Sequence, residues 1–393
     1  MVMEKKTGKL AVWDIPTRLF HWLLATAFLV AWLTRGDSQY LDVHAYAGYL
    51  MLGLVTFRIF WGFKGGIYAR FRNFAYSWHA VTHYLKRLIT RRPEHFPGHN
   101  PAGGWAVFAL LTLSLAVGIS GLLVLGGEER HGPLAGWLSF EQGDFFHEVH
   151  DILATAMLLL VFVHIAGVIV TSFLHKENLI GPMLHGYKKG FRQWPASAMY
   201  ALTGIMLALT AAITATVYFQ GYLSETVDKP YLPYTAAPLP HNTAWDAACS
   251  ECHLAYHPSL LPARSWQKLL AQQDQHFGDD LGLDSTTIAE LSQFANRYAA
   301  ESQISETAWK IAKTTPATQS PLRISETLYW KAQHQELPND LWKNKKIKSK
   351  ANCEVCHVDA KQGTFQDGAM RVPDLRDEHV VPSSALRTSL NNH

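Results

Sequence analysis

An all-α protein in two parts is predicted: a transmembrane helical bundle followed by a mostly helical, loop-rich domain. Three observations predict it. Residues 1 to about 225 hold five long runs without Asp, Glu, Lys or Arg. The remainder has an ordinary polar composition. All four cysteines of the 393 residues lie in that second half, as two copies of one short pattern. The mean hydropathy near zero averages over this split.

The runs are Leu19–Thr34, Val43–Phe57, Trp105–Gly127, Ile152–Leu174 and Trp194–Ser224. The first two are short, but flanking Trp, Arg and Tyr extend them to the roughly 20 residues that span about 30 Å of hydrocarbon. Five such runs in 225 residues leave too little polar surface for a soluble helical protein. Residues 1–236 carry 19 Lys and Arg against 14 Asp and Glu, and residues 237–393 carry 16 against 18. No block is basic enough to suggest nucleic acid. With the N-terminus in the cytoplasm, segments 1–18, 63–104 and 175–198 hold 4, 7 and 4 basic residues. The outer loops 35–43 and 126–149 hold one each, Arg35 and Arg130. This positive-inside bias predicts an inner-membrane protein with a cytoplasmic N-terminus and everything after about residue 224 in the periplasm. TRGDSQY after the first run has no small-x-small cleavage pattern, so that run reads as a retained helix.

Histidines within such helices are costly and mark function. His21 lies in the first run, His44 opens the second, and His150 and His164 belong to the fourth. The last two are 14 residues apart, nearly four turns, so they share a face about 21 Å apart along the axis. Depth pairs His21 with His164 and His44 with His150. Two histidine pairs at two depths suit two non-covalent b haems, since haem iron accepts an imidazole on each face. Ala25, Gly48, Ala154 and Gly167 leave room beside the ligands, although small residues also serve helix packing. His147 rivals His150 but breaks the 14-residue phase.

RLFHW (Arg18–Trp22), the second helix from His44 to RIFWGF at Arg58, GHNPAGGW (Gly98–Trp105) and HKENL (His175–Leu179) carry a resemblance. Over roughly residues 10–190 the chain resembles the bacterial cytochrome b561 family, which includes the b-type subunits of nickel–iron hydrogenases. The resemblance implies two b haems in a four-helix core, with the fifth helix added, and electron exchange with a membrane quinone. It also implies a haem propionate opposite Arg58, where the competing reading is an arginine snorkelling to headgroups. His175, Lys176, Glu177 and Asn178 offer groups that could exchange quinol protons, or merely a helix end among headgroups. Tyr76–Ile89 reads as an interfacial amphipathic helix. On it His79 and His83 lack an evident third ligand and are expected at the surface.

Cys249-Ser-Glu-Cys252-His253 and Cys353-Glu-Val-Cys356-His357 both read as c-type haem attachment sites, in which two thiols take the vinyl groups and the histidine falls beneath the iron. Zinc or disulfides would leave the two histidines idle. Covalent haem attachment belongs to the outer side of a bacterial inner membrane, where the charge count already places this half. Met370 is the lone methionine in residues 237–393, so at most one centre is His/Met. His257, one turn after His253, is expected at the surface before Pro258, and His379 and His393 in a loose tail. His276 and His334 remain as distal candidates, each also readable as a surface residue.

SLLPARSW (Ser259–Trp266), HFGDD (His276–Asp280), PLRISET (Pro321–Thr327) and KSKANCEVCH (Lys348–His357) carry a second resemblance. From Trp245 to about Pro373 the chain resembles the periplasmic dihaem cytochromes c that supply electrons to a small oxygen-binding haem protein. This implies bis-histidine ligation of both haems with His276 and His334 distal; the expected pairs are His276 with His253 and His334 with His357. Ser285–Ala300 has helical periodicity, and the basic run WKNKKIKSK (Trp342–Lys350) reads as a solvated face.

The expected organisation is a cytochrome b561-like domain over 1–192, a fifth membrane helix over 193–224, a Pro-rich linker over 225–242, a dihaem cytochrome c domain over 243–376 and a polar tail over 377–393. The expected function is electron transfer from quinol through two b haems and two covalent c haems to a soluble periplasmic haem protein or cytochrome, a quinol:cytochrome c-type oxidoreductase activity. The alternative is a membrane-anchoring cytochrome subunit of a larger hydrogenase or dehydrogenase.

Overall fold

The computed structural model describes residues 8–36, 40–90, 94–190, 198–224, 236–371 and 373. The linker residues 225–235 and the tail from 374, with His379 and His393, lie outside the described residues. The chain divides into two compact units, one of residues 1–33, 43–124 and 144–231 and the other of residues 34–42, 125–143 and 232–393, so the ends of some long helices of the first fall in the second.

The first unit opens with a short strand, β1 (Gly8–Ala11), followed by α1 (Ile15–Thr34), α2 (Leu41–Lys64), α3 (Trp78–Ile89), α4 (Pro101–Gly127), α5 (Phe140–His175) and α6 (Gly181–His185). Strand β2 (Tyr187–Gly190) pairs antiparallel with β1, and α7 (Ala198–Tyr218) and α8 (Gln220–Leu223) close the unit. Five of these helices, α1, α2, α4, α5 and α7, are long and apolar enough to cross a membrane. In α5 and α7 only 6% of the apolar stretch is buried within the protein, so the outward faces need lipid to cover them.

Local chemistry sets the helix ends. Asp14 Oδ1 accepts from the Thr17 N–H and the Trp61 indole, and its Oδ2 from the Gly66 N–H, so one carboxylate caps α1 and ties it to the end of α2. Between α2 and α4, Gly118 admits Leu52, whose side chain occupies the place a Cβ would take. Phe20, Leu54, Val55 and Leu111 form the apolar core that α1, α2 and α4 share. The fourth membrane helix is longer than its apolar run, since α5 begins at Phe140 rather than near Ile152. Ser139 and Gln142 make a reciprocal capping box: Ser139 N–H donates to Gln142 Oε1 at 3.0 Å and Gln142 N–H to Ser139 Oγ at 3.2 Å. Helical hydrogen bonding therefore starts three turns before the hydropathy does. Helix α3 starts at Trp78 behind a Ser77 cap and buries Val81 and Tyr84 while His79 and His83 stay exposed, as expected.

The second unit is helical and rich in loops: α9 (Thr243–Cys249), α10 (Ala263–Ala271), α11 (Ser285–Tyr298), α12 (Glu306–Thr314) and α13 (Leu328–His334), joined by single 3-10 turns. Asn242, Asp284, Ser305 and Thr327 cap four of them with side-chain oxygens. Trp245, Leu261, Trp266, Leu270, Leu291 and Phe294 form its main core. The basic run keeps its lysines exposed while Asn344 and Ile347 are buried.

Candidate haem sites

Four pairs of imidazole rings approach one another in the two units, with their planes inclined by 35° to 77°. His21 on α1 and His164 on α5 have ring centroids 6.5 Å apart. His44 on α2 and His150 on α5 are 6.0 Å apart. In the second unit His253 and His276 are separated by 6.3 Å, and His334 and His357 by 6.2 Å. Two imidazole nitrogens each about 2.0 Å from one metal put their ring centroids about 6.2 Å apart, since a centroid lies about 1.1 Å behind its nitrogen. All four separations lie close to that value.

Four of the eight rings are held by their Nδ1 atoms. His44 Nδ1 donates to the Ala31 carbonyl at 2.9 Å, and His150 Nδ1 to the Val117 carbonyl at 3.1 Å with Ser120 Oγ at 3.0 Å. His253 Nδ1 donates to the Leu254 carbonyl at 2.7 Å and His334 Nδ1 to the Trp330 carbonyl at 2.8 Å. A carbonyl on Nδ1 fixes the tautomer and leaves Nε2 with its lone pair, the arrangement of a metal-ligating histidine. His21 and His357 instead keep a buried Nδ1 without a hydrogen-bond partner among the described residues. The His150 ring packs on Gly121, whose missing Cβ would stand 3.1 Å from it. Gly48 and Gly167 face open space, with no atom within 4 Å of a Cβ position. Room beside His44 and His164 is what a flat macrocycle needs.

Arg58 is buried, so it does not snorkel. Its Nη2 donates to the Ala69 carbonyl at 3.0 Å and the guanidinium lies 4.8 Å from the Phe71 ring, while Nη1 is buried with no partner among the described residues. An orphaned cationic N–H suits a carboxylate such as a propionate. His99 packs against Trp13 and Phe74 at 4.6 and 4.4 Å. Burial, reinforced by the Arg58 charge, pushes His99 down to about 3. Sequence reasoning did not single out His99, although GHNPAGGW contains it.

At the c-type motifs none of the four cysteines is in a disulfide. Burial pushes Cys249, Cys353 and Cys356 up to about 11. Burial holds His334 down near 4 and also lowers His276 and His357, so these imidazoles are neutral and able to ligate. The Asp359 carboxylate, 1% exposed, accepts from Thr364 Oγ1 at 2.6 Å and the Gln366 N–H at 2.7 Å, fixing the turn that follows His357. The Tyr256 ring stacks on His253 at 5.0 Å while its hydroxyl donates to the Ala351 carbonyl, linking the two motifs. His257 departs from expectation. It is buried: its Nδ1 accepts from the Ser259 N–H and its Nε2–H donates to the Pro240 carbonyl. It serves the scaffold.

At the end of α5, His175 meets His95, and Glu177 pairs with Lys188 Nζ at 3.3 Å. Asn178 Oδ1 accepts from the Ile180 and Gly181 N–H groups and shapes the turn into α6. Lys176 takes the left-handed conformation, φ 50°.

Comparison with known proteins agrees with this division. Residues 12–186 match prokaryotic cytochrome b561, and residues 245–365 match dihaem cytochrome c. The chain is 24% identical over 209 residues to a probable Ni/Fe-hydrogenase B-type cytochrome subunit of Rhizobium leguminosarum bv. viciae, covering 44% of this chain and 87% of that one. With the probable Ni/Fe-hydrogenase 1 B-type cytochrome subunit of Escherichia coli K12 the identity is 22% over 224 residues, 47% and 94% of the two chains. Among solved structures, a dihaem cytochrome c from Rhodobacter sphaeroides is 35% identical and covers 33% of this chain and 100% of its own, with a TM-score of 0.29. One from Shewanella baltica OS155 is 29% identical, covering 34% and 95%, with a TM-score of 0.28. Five apolar helices and two matched cytochrome segments define a multi-pass membrane protein of electron transfer that uses b- and c-type haem. The first part of the chain thus carries the prokaryotic cytochrome b561 match and the second the dihaem cytochrome c match.

Proposed function

We propose that this protein takes electrons from a membrane quinol and delivers them to a soluble periplasmic haem protein or cytochrome, as a quinol:cytochrome c-type oxidoreductase. One observation carries the reading: four histidine pairs, each spaced near the 6.2 Å expected across one metal, at 6.0 to 6.5 Å. We assign His21 with His164 and His44 with His150 to two b haems. His253 with His276 and His334 with His357 go to two c haems, whose thioether links come from Cys249 and Cys252 and from Cys353 and Cys356. When bound, haem supplies reversible one-electron transfer with no open coordination position. The residues do the rest. The carbonyls of Ala31, Val117, Leu254 and Trp330 orient their imidazoles, and Arg58 neutralises a propionate. The apolar helices exclude water from the two inner pairs.

The lysine and arginine count supports a cytoplasmic N-terminus and a periplasmic second unit. In that orientation α5 ends on the cytoplasmic side. Quinol binds near that end, and His175 and Glu177 are the groups that accept its protons. Lys176 and Asn178 border the same turn. The domain boundaries proposed are 1–192, 193–224, 225–242, 243–376 and 377–393. The relatives named as hydrogenase B-type subunits favour a second reading, in which the bundle anchors a separate dehydrogenase and takes its electrons.

A pyridine haemochrome spectrum of the purified chain tests the assignment, with b and c haem expected in equal amounts. An excess of c over b removes a histidine pair from the membrane half. A quinol analogue is then expected to reduce both haem types. Reduction of neither, with reduction by an added hydrogenase instead, moves the function to the anchoring role.

A further inference from the structure

Among the described residues, one cluster of three metal-ligating side chains lies outside the four histidine pairs. His95 follows α3, His175 is the last residue of α5, and Glu177 comes two residues later. Each presents one ligand atom, and the three atoms lie within 4.8 Å of one another. The two rings meet edge to face at 4.8 Å. Among the described residues His175 Nε2 is buried without a hydrogen-bond partner, so its lone pair is available to a cation. His95 is exposed, so an ion has a way in.

Two imidazoles and one carboxylate form a donor set that suits zinc and its first-row neighbours. In a tetrahedral site with bonds of about 2.0 to 2.1 Å, ligand atoms stand about 3.4 Å apart, so closure needs an inward shift of about 1 Å. His95 can supply it, because residues 94–98 belong to neither helix nor strand. Glu177 is brought back under the helix end by the left-handed Lys176, with its N–H donating to the Ser172 carbonyl at 3.1 Å. Its carboxylate is held by Lys188, whose side chain is 8% exposed and whose Nζ also reaches the Phe96 carbonyl at 3.5 Å. Lys188 occupies the carboxylate when no cation is there.

We propose that His95, His175 and Glu177 form a binding site for a divalent first-row transition ion of the zinc type, with Lys188 as a built-in competitor for the carboxylate. The ion takes the His175 Nε2 lone pair, and Lys188 sets the affinity by opposing its charge. The ion takes the same His175 and Glu177 groups proposed above to accept quinol protons, so an occupied site blocks that role; because binding is read directly, the two readings fail independently.

The test uses the full-length, haem-loaded protein in detergent, purified without a polyhistidine tag and titrated with Zn2+ against a chromophoric chelator. One tight site per chain is expected. His175→Ala and His95→Ala should each weaken it on the order of 100-fold. Lys188→Gln should tighten it by roughly tenfold, because a cation next to the ion is removed. His79→Ala with His83→Ala, on the exposed face of α3, should leave it unchanged. Co2+ should give tetrahedral visible bands in the wild type that His95→Ala abolishes. His95 is exposed, so its variant remains informative if His175→Ala folds poorly. Absence of a stoichiometric site overturns the proposal. So does equal affinity in wild type and His95→Ala, loss of binding in the His79 and His83 variant, or weaker binding in Lys188→Gln.

Discussion

His257 is 6% exposed and commits both ring nitrogens, to the Ser259 N–H and the Pro240 carbonyl. Burial lowers it from 6.5 to about 4. The sign follows from proton uptake. Below pH 6.5 the unfolded chain protonates this histidine and the folded domain does not. Its contribution is complete above 6.5 and is lost as pH falls toward 4, amounting to about 3 kcal/mol. Thermal melting of the full chain at pH 7 and pH 4.5 should show this loss, and His257→Asn should reduce the difference between the two pH values. An unchanged difference would place the acid sensitivity elsewhere. The burial of His257 was not legible locally, because its neighbours in AYHPS read as polar loop. It is decided from afar. Gly363, in the left-handed region at φ 74°, lets the backbone pass where a Cβ would stand 2.8 Å from the His257 Cβ.

On the membrane helices, side-chain spacing and backbone hydrogen bonding carry different information. The 14-residue phase of His150 and His164 was readable because a straight α-helix conserves phase, and both rings do point into the bundle from α5. The start of α5 was misplaced by hydropathy because Glu141, Asp144 and Glu148 interrupt the apolar pattern without interrupting the helix. The Ser139–Gln142 capping box was the local signal that marked it. On α2, Gly48 faces open space one turn after His44. Gly48→Leu is expected to fill that space and halve the b haem content while c haem stays constant, measured by haemochrome on purified protein. Full b content in that variant would show that the macrocycle of the His44–His150 pair lies elsewhere.

At the scale of the whole molecule, the two units hold their centres by different means, and the c-type half can be dissected covalently. Cys353→Ser with Cys356→Ser should remove one c haem of two, leave both b haems, and expose the region around Leu341 and Ile347 that packs close to that motif. Haem-stained denaturing gels and the b to c ratio would read the outcome, and undiminished c haem would refute the attachment assigned to that motif. From its residues alone the protein declared five membrane helices, two CysXXCysHis motifs, and the histidines within the helices. Those signals are local: uncharged length, fixed motif spacing and helical phase. Only the tertiary structure decided that His276 comes to 6.3 Å from His253 and His334 to 6.2 Å from His357. It alone buried Arg58 beside Phe71 and brought His95 to His175. Each of these approaches closes a loop through irregular chain. No periodicity in sequence records where such a loop returns, because its path is set by packing against residues far away along the chain.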